Sequence, residues 1–334
     1  RRKESIIYTI NKHKPDVLIN VAALKHIDIC EKNPYESVQT NILGNQNIIE
    51  SIEESHHRIK GLIFTSTDKA CKPINVYGMC KSISEKIYQN YAENVHANDI
   101  KVAIVRYGNV LESTGSVIPF FKNILGASLP DSVRPTDYKL PVTHEEMTRF
   151  FLTLDEAVNL LIDWAYHNPY SHGSIAIPKT KSMKIKDLAE LLISVYDPEV
   201  NKKGLTNEEH RELIASKIEI VGIRPGEKLH EELISEEESL RTIEHDDYYL
   251  ITNKIINNDP WTYSSKDDLI DTFEDGKEFL DIDLTYWDAR FFTYERGIDG
   301  LKWGAYETNQ SKDKIESQLW AQEINFKAAK KMST

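Results

Sequence analysis

The residues best suited to chemistry lie close together: Thr65-Ser66-Thr67-Asp68-Lys69, then Tyr77 and Lys81. The apolar run that ends at Thr65 reads as a buried strand, and ligands in an open parallel sheet bind off the carboxyl ends of strands. Tyr77 and Lys81 stand four apart, so on a helix they share a face. An ammonium beside a phenol favours the phenolate, which predicts a pKa below the usual ~10 and makes Tyr77 a base towards an alcohol. That spacing has little weight alone, because Tyr8 and Lys12 repeat it on what reads as a solvated helix face. Its position just after a strand-end Thr-Asp-Lys is what singles it out. Asp68 and Lys69 have a plain reading as a cap or surface pair. They also offer an acid and a base side by side, able to protonate a leaving group while a neighbouring proton is removed.

These side chains need a scaffold, and the hydrophobic pattern supplies one. Residues 4–13 read as an amphipathic helix, 16–23 as a strand buried on both faces, 42–52 as a helix and 61–65 as a strand. A helix-favouring stretch, Tyr77 to Tyr91, and a third strand, Lys101 to Tyr107, follow. Strand and helix alternating in this way predict a parallel sheet covered by helices. Beyond them, Thr153 to Glu156 forms a capping box ahead of a helix at 157–166, and Thr206 to Glu209 forms another. Residues 174–178 and 217–222 read as strands around a helix at 186–196, and 257–260 as a loop. The last fifty or so residues carry Trp287, Phe291, Phe292, Tyr294 and Trp303 without clear periodicity. The expected organisation is a dinucleotide-binding domain over residues 1–145, a substrate-binding lobe over 146–240 with some return to the main sheet, and an acid-rich, aromatic extension over 241–334.

The chain has 334 residues, 40% of them hydrophobic and 28% charged, which is ordinary for a globular protein. Its formal charge of −12 argues against a general nucleic-acid or anionic-membrane partner, although a few local cations suffice to hold a phosphate. Cys30, Cys71 and Cys80 form no metal-ligand spacing and read as free thiols in a reducing compartment, with no metal expected. No apolar run approaches the ~20 residues that span a bilayer, and no signal peptide opens the chain, so the expected address is the cytoplasm.

Several motifs, in order, resemble the UDP-N-acetylglucosamine 4,6-dehydratases. These are Ala22-Ala23-Leu24-Lys25-His26, Thr40-Asn41-Ile42-Leu43-Gly44, Ser66-Thr67-Asp68-Lys69-Ala70 and Pro73-Ile74-Asn75-Val76-Tyr77-Gly78. They continue through Arg106-Tyr107-Gly108-Asn109-Val110, Gly115-Ser116-Val117-Ile118-Pro119, Met147-Thr148-Arg149-Phe150 and Arg224-Pro225-Gly226-Glu227-Lys228. The likeness covers about residues 15–240. It implies a Rossmann-like doubly wound α/β fold with a smaller α/β lobe, and a recycled NADP cofactor, with NAD as the alternative. It also implies a UDP-sugar substrate, precursor synthesis for surface glycans, and a homo-oligomer. Tyr77, with Lys81 and Thr67, would take the proton of the sugar 4-hydroxyl while C4 gives hydride to the cofactor. Lys69 would then remove the C5 proton and Asp68 protonate the departing 6-hydroxyl, or the two in exchanged roles. Tyr77 itself, where larger membrane-bound relatives place Met, favours inversion at C5, as do Ile177-Pro178-Lys179 and Ser182-Met183-Lys184.

The cofactor is expected against Ala22, Ala23, Lys25, Asn41, Tyr77 and Lys81. The UDP-sugar is expected against Lys25, Asn109, Arg149, Arg224 and Glu227, since pyrophosphate calls for Arg or Lys donors and ribose hydroxyls for a carboxylate. Lys228 flanks the same turn, while His26 and His144 read as structural. A UDP-sugar 4-epimerase shares the Tyr/Lys pair but has no use for Asp68-Lys69, and a non-catalytic UDP-sugar-binding protein is the third reading. The chain opens on Arg1-Arg2-Lys3 and contains no strand followed by a glycine-rich turn to seat a pyrophosphate. The first strands of the family pattern are therefore expected to lie outside it, leaving a sheet edge unpaired and NADP+ binding weak.

Overall fold

A computed structural model describes residues 1–200, 205–267, 269, 270 and 276; the aromatic positions 287–303 singled out above lie outside them. Six strands form the main sheet: β1 (Val17–Asn20), β2 (Gly61–Thr65), β3 (Lys101–Val105), β4 (Ile175–Pro178), β5 (Thr242–Glu244) and β6 (Tyr248–Ile251). Their spatial order is β1-β2-β3-β4-β6-β5. The first four run parallel, with Leu18 beside Leu62 and Leu62 beside Val102, whereas β6 lies antiparallel to both β4 and β5. The outer side of β1 has no strand neighbour among the described residues.

The central strands β2, β3 and β4 are mostly apolar because both faces are covered. On one face Leu62, Phe64, Val102, Ile104, Ile175 and Ile177 pack with Ile10, Ile49, Ile52 and Tyr88. Those partners come from α1 (Lys3–His13), α2 (Gly44–Glu54) and α3 (Val76–Asn94). On the other face Ile63, Ala103, Val105 and Ala176 meet Leu160, Leu161 and Ala165. Neighbours in one strand thus face opposite cores, as the period of two requires. A buried set of amides and hydroxyls ties β1 to α2 and α3: Asn20 donates to Tyr88 at 3.0 Å, and Asn45 to Ser84 at 2.9 Å. Paired polar groups of this kind can sit in a core without the cost of lost hydrogen bonds to water.

The expected α/β architecture with a Rossmann-like sheet is the one observed. The main sheet, however, runs past the boundary drawn at residue 240, since β5 and β6 complete it beyond that point. Smaller sheets make up the lobe. The strand Asn109–Val110 runs parallel to Thr148–Leu152, which pairs antiparallel with Ser182–Lys184. Leu140–Val142 pairs with Ile218–Ile220, and Glu232–Ile234 with Tyr263–Ser264. Both capping boxes form, at Thr153/Glu156 and Thr206/Glu209. The helix α4 (Ile185–Tyr196) buries its Leu188, Leu191 and Leu192 beneath the lobe. Among the described residues no helix is long and apolar enough to cross a membrane.

Candidate active site

The site grows from the end of β2. After Thr65 the chain leaves the sheet, and Asp68–Ala70 form one 3-10 turn. Asp68 is fully buried; its Oδ1 accepts from Thr67 Oγ1 and from Lys69 Nζ, each at 2.9 Å. The backbone N–H of Asp68 donates to Tyr107 O at 3.0 Å, which hangs the turn from the residues after β3. Asp68 Oδ2 and Ser66 Oγ are buried with no hydrogen-bond partner among the described residues. Buried polar atoms left unpaired in this way carry a free-energy cost and mark a place where a ligand group can satisfy them.

α3 begins at once and brings Tyr77 and Lys81 onto the turn. Asn75 caps it by accepting from Gly78 N at 2.8 Å. A β-carbon at Gly78 would stand 2.2 Å from Lys69 O, so only glycine lets the helix press this closely on the Asp-Lys turn. Tyr77 is buried, with its phenol close enough to Thr67 and Asp68 to feel both. Lys81 donates to Thr65 O at 2.7 Å, and its ammonium lies 4.4 Å from the centre of the Phe64 ring. Among the described residues that carbonyl is its only hydrogen-bond partner, so two N–H donors remain for a ligand's hydroxyls.

The expected electrostatics of this pair need correction. Burial pushes the Tyr77 phenol above its usual value, and the charge of Asp68 and the neighbouring Tyr107 push the same way; only the nearby Thr67 hydroxyl opposes them. Lys81 is the partner that moves down: burial lowers it to about 8, against the pull of Glu85. The desolvation of both groups outweighs their proximity on one helix face. Lys69 goes the other way. Burial alone would lower it, but Asp68 and Glu231 hold its ammonium above the usual lysine range, against Arg149.

The remaining expected residues divide by placement. Lys25 is exposed on the loop after β1, near enough to Lys69 for the two charges to repel. Ala22 and Ala23 lie on the same loop, braced from below by Asn20 Oδ1, which accepts from Ala22 N at 3.2 Å. Asn41, expected to touch a cofactor, spends both ends of its amide on Leu24 at 2.9 Å and so positions that loop. Arg149 donates to Thr148 O and Lys228 O, at 2.6 and 3.0 Å, from the strand beside Asn109. Arg224 is exposed and pairs with Glu227 at 3.0 Å from Nε to Oε1, across a turn where Gly226 takes φ +83°. Asn75 donates to Gly226 O at 2.9 Å, so the residue that caps α3 also holds this turn against the site. Lys228 points inward, donating to Cys71 O at 2.7 Å. His26 packs against Gly115, as a structural histidine would.

Sequence reasoning missed Tyr107, Glu231 and the triad of Arg106 with Glu85 and Glu238. Arg106 is the one with a local signal, a charge directly after five strand residues that are mostly apolar and buried. Such a residue has to find a counter-charge inside the protein.

The sheet order, the strand-end Thr-Asp-Lys turn and the Tyr/Lys helix face place the chain in the Rossmann-like class of extended short-chain dehydrogenases/reductases. Residues 1–253 match the profile of the family described as polysaccharide biosynthesis protein, and the chain belongs to that family. It is 39% identical over 241 residues to the inverting UDP-N-acetylglucosamine 4,6-dehydratase of Campylobacter jejuni, covering 72% of this chain and 62% of that relative. The chain thus spans a little under two thirds of that relative's length. A UDP-glucose 4-epimerase of Rickettsia canadensis is 32% identical, with the same shares covered. Among solved structures, the X-ray structure of Pen from Bacillus thuringiensis matches with a TM-score of 0.69 and 29% identity, covering 84% of this chain and 78% of the other.

Proposed function

We propose that this chain carries the catalytic apparatus of a nucleotide-sugar 4,6-dehydratase acting on UDP-N-acetylglucosamine, with inversion at C5. The observation behind this reading is the convergence around Thr67, whose hydroxyl donates to the Asp68 carboxylate that binds Lys69 and lies close enough to the Tyr77 phenol to pull it down, while Asp68 pushes that phenol up. An alcohol-oxidising group and an acid–base couple therefore address one ligand, which is what elimination of water next to an oxidised carbon requires. An epimerase has no need of the second couple.

Tyr77 takes the proton of the sugar 4-hydroxyl, with Thr67 passing it between neighbours and Lys81 stabilising the charge that develops. A nicotinamide cofactor, when bound, supplies the reversible acceptor that makes C4 a ketone and later reduces C6. The free donors of Lys81 suit its ribose, and the small side chains of Ala22 and Ala23 with Lys25 suit its approach over the β1 loop. The ketone acidifies the C5 proton. Because Lys69 is held charged, it is suited to donate to the departing 6-hydroxyl while the unpaired Asp68 Oδ2 accepts the C5 proton. That is the exchanged form of the assignment expected from sequence. As C6 is reduced, C5 takes the proton that Tyr77 removed from the 4-hydroxyl, and Asp68 returns its own proton to Lys69, whose Nζ lies 2.9 Å from Oδ1, which resets the couple.

Arg224, Glu227, Arg149 and Asn109 are assigned to the UDP moiety, the turn of Arg224 and Glu227 being tethered to the helix of Tyr77 through Asn75. NADP is the proposed cofactor, with NAD as alternative. The proposed setting is the cytoplasm, in a homo-oligomer making surface-glycan precursors. Incubation of the full-length protein with UDP-GlcNAc and NADP+, followed by mass spectrometry, tests the reading. Loss of one water from the sugar nucleotide supports it. An isobaric 4-epimer, or UDP binding with no turnover, overturns it in favour of an epimerase or a binding protein.

A further inference from the structure

Glu231 lies far along the chain from Asp68 and Lys69, yet its side chain is 3% exposed and stands against both lysines of the site. Its Oε1 is 3.9 Å from Lys69 Nζ and its Oε2 is 3.7 Å from Lys228 Nζ. Ser265 clamps its backbone on both sides: Glu231 N donates to Ser265 Oγ at 3.0 Å, and Ser265 N donates to Glu231 O at 2.9 Å. The carboxylate is therefore delivered by the small sheet of Glu232–Ile234 and Tyr263–Ser264, a part of the lobe independent of β2 and α3. Glu231 Oε2 has no hydrogen-bond partner among the described residues. A buried carboxylate in that condition is costly, and a purely structural one would be expected to complete its hydrogen bonds.

We infer that Glu231 is a positioning residue for the elimination step, acting as the second counter-ion that keeps the Lys69 ammonium charged beside Asp68. This rests on the dehydratase reading above and adds a residue to it. Lys69 is faced by Asp68 on its own turn, by Glu231 from the lobe, by Arg149 from the strand Thr148–Leu152 and by Lys25 from the β1 loop. Glu231 is faced by Lys69 and Lys228, and Asp68 also by the Tyr77 phenol. With Glu231 neutralised, two cations oppose the Lys69 charge and one anion supports it. Lys69 then gives up its proton at lower pH and reaches the elimination step without the proton that the leaving hydroxyl needs. The group supplying that proton is Lys69, the group receiving the C5 proton is Asp68, and Glu231 itself exchanges none.

The test uses Glu231→Gln, with Glu231→Asp as the variant that keeps the charge. The pH dependence of Lys69 acetylation by trace acetic anhydride, read by mass spectrometry on the folded protein, follows its protonation without any substrate. Glu231→Gln is expected to bring half-reaction down by about 1–3 pH units, the size of shift an opposite charge within ~4–6 Å produces. Glu231→Asp is expected to restore most of it. In turnover of UDP-GlcNAc, the alkaline limb of the kcat profile should move down with it while KM stays near the parent value. An unchanged Lys69 titration in Glu231→Gln overturns the inference whatever the protein does to UDP-GlcNAc. So does a shifted titration with an unmoved kcat profile, or a change confined to KM. A shifted titration in a parent protein that eliminates no water sinks the dehydratase reading and this role with it. If Glu231→Gln does not fold, Glu231→Asp alone decides: a shortened carboxylate should lower the Lys69 titration part of the way, and no movement refutes the idea.

Discussion

Replacement of Arg106 by methionine should destabilise the protein severely and in a pH-dependent way. The Arg106 side chain is 1% exposed, and it binds Glu85 from α3 and Glu238 from the lobe. Nε and Nη2 donate to Glu85 at 2.9 and 2.7 Å, Nη1 and Nη2 donate to Glu238 at 2.9 and 2.7 Å, and Nη1 also reaches Leu233 O at 2.8 Å. Removing this cation leaves two buried carboxylates without their hydrogen-bonded partner, with Arg241 at 4.0 Å from Glu238 offsetting only part of the charge, a loss of about 3–5 kcal/mol. At ~2–4 °C per kcal/mol for a chain of this size, Tm should fall by about 6–20 °C. Burial alone would raise the Glu238 carboxyl, but the charge and hydrogen bonds of Arg106 hold it down to about 2 from 4.5. A depressed acid contributes stability that is complete above its unfolded value and vanishes as pH falls through the folded one; here that contribution is about 3 kcal/mol at ~1.4 kcal/mol per pH unit. The parent should therefore lose this contribution between pH 4.5 and about 2, while Arg106→Met, lacking it throughout, should not. Urea unfolding at about pH 7 and about pH 3 measures both, and the gap between parent and variant should narrow at the lower pH. Replacing all three residues by Leu, Met and Leu should recover most of the melting temperature, because no buried charge is then left unpaired. A single variant that melts with the parent at neutral pH would refute the account of Arg106 as the clamp between helix and lobe.

Four further outcomes follow from the contacts of the site. Gly78→Ala puts a β-carbon 2.2 Å from Lys69 O. It should cost about 1–3 kcal/mol in thermal melts and lower kcat more than it raises KM, since the displaced backbone carries Lys69. Asn75→Ala loses the α3 cap and the tether to Gly226, with about 1 kcal/mol lost for the cap in urea unfolding and a rise in KM for the UDP-sugar exceeding any fall in kcat. Tyr77→Phe should reduce turnover by about 10²–10⁴-fold while UDP affinity by calorimetry stays at the parent level. In the parent, kcat should climb with pH through the neutral range, because burial holds the phenol protonated in the free chain.

Where structure is set by local pattern, the sequence was a sufficient guide. The run Gly61–Thr65 is apolar without alternation because β2 is covered on both faces, and that can be read from residue types alone. The boxes at Thr153 and Thr206 form the caps their spacing predicts. The strands Leu140–Val142, Ser182–Lys184 and Thr242–Glu244 went unread, because three residues are too few to show a period. Periodicity also gave no sign that the acid-rich segment after 240 returns to the main sheet through β6, whose antiparallel pairing with β4 sets where it lies.

The sequence alone determined which groups could meet: a phenol and an amine one helical turn apart, just beyond a strand end bearing Thr, Asp and Lys. These are short-range facts, carried by helix pitch, strand pleat and capping chemistry. Only the tertiary structure decided what charges those groups bear. The burial that raises Tyr77 and lowers Lys81, and the carboxylate of Glu231 brought against Lys69 from the lobe, are sums over neighbours remote in the chain. Desolvation and Coulomb forces depend on distance in space, and no spacing along the sequence encodes that distance.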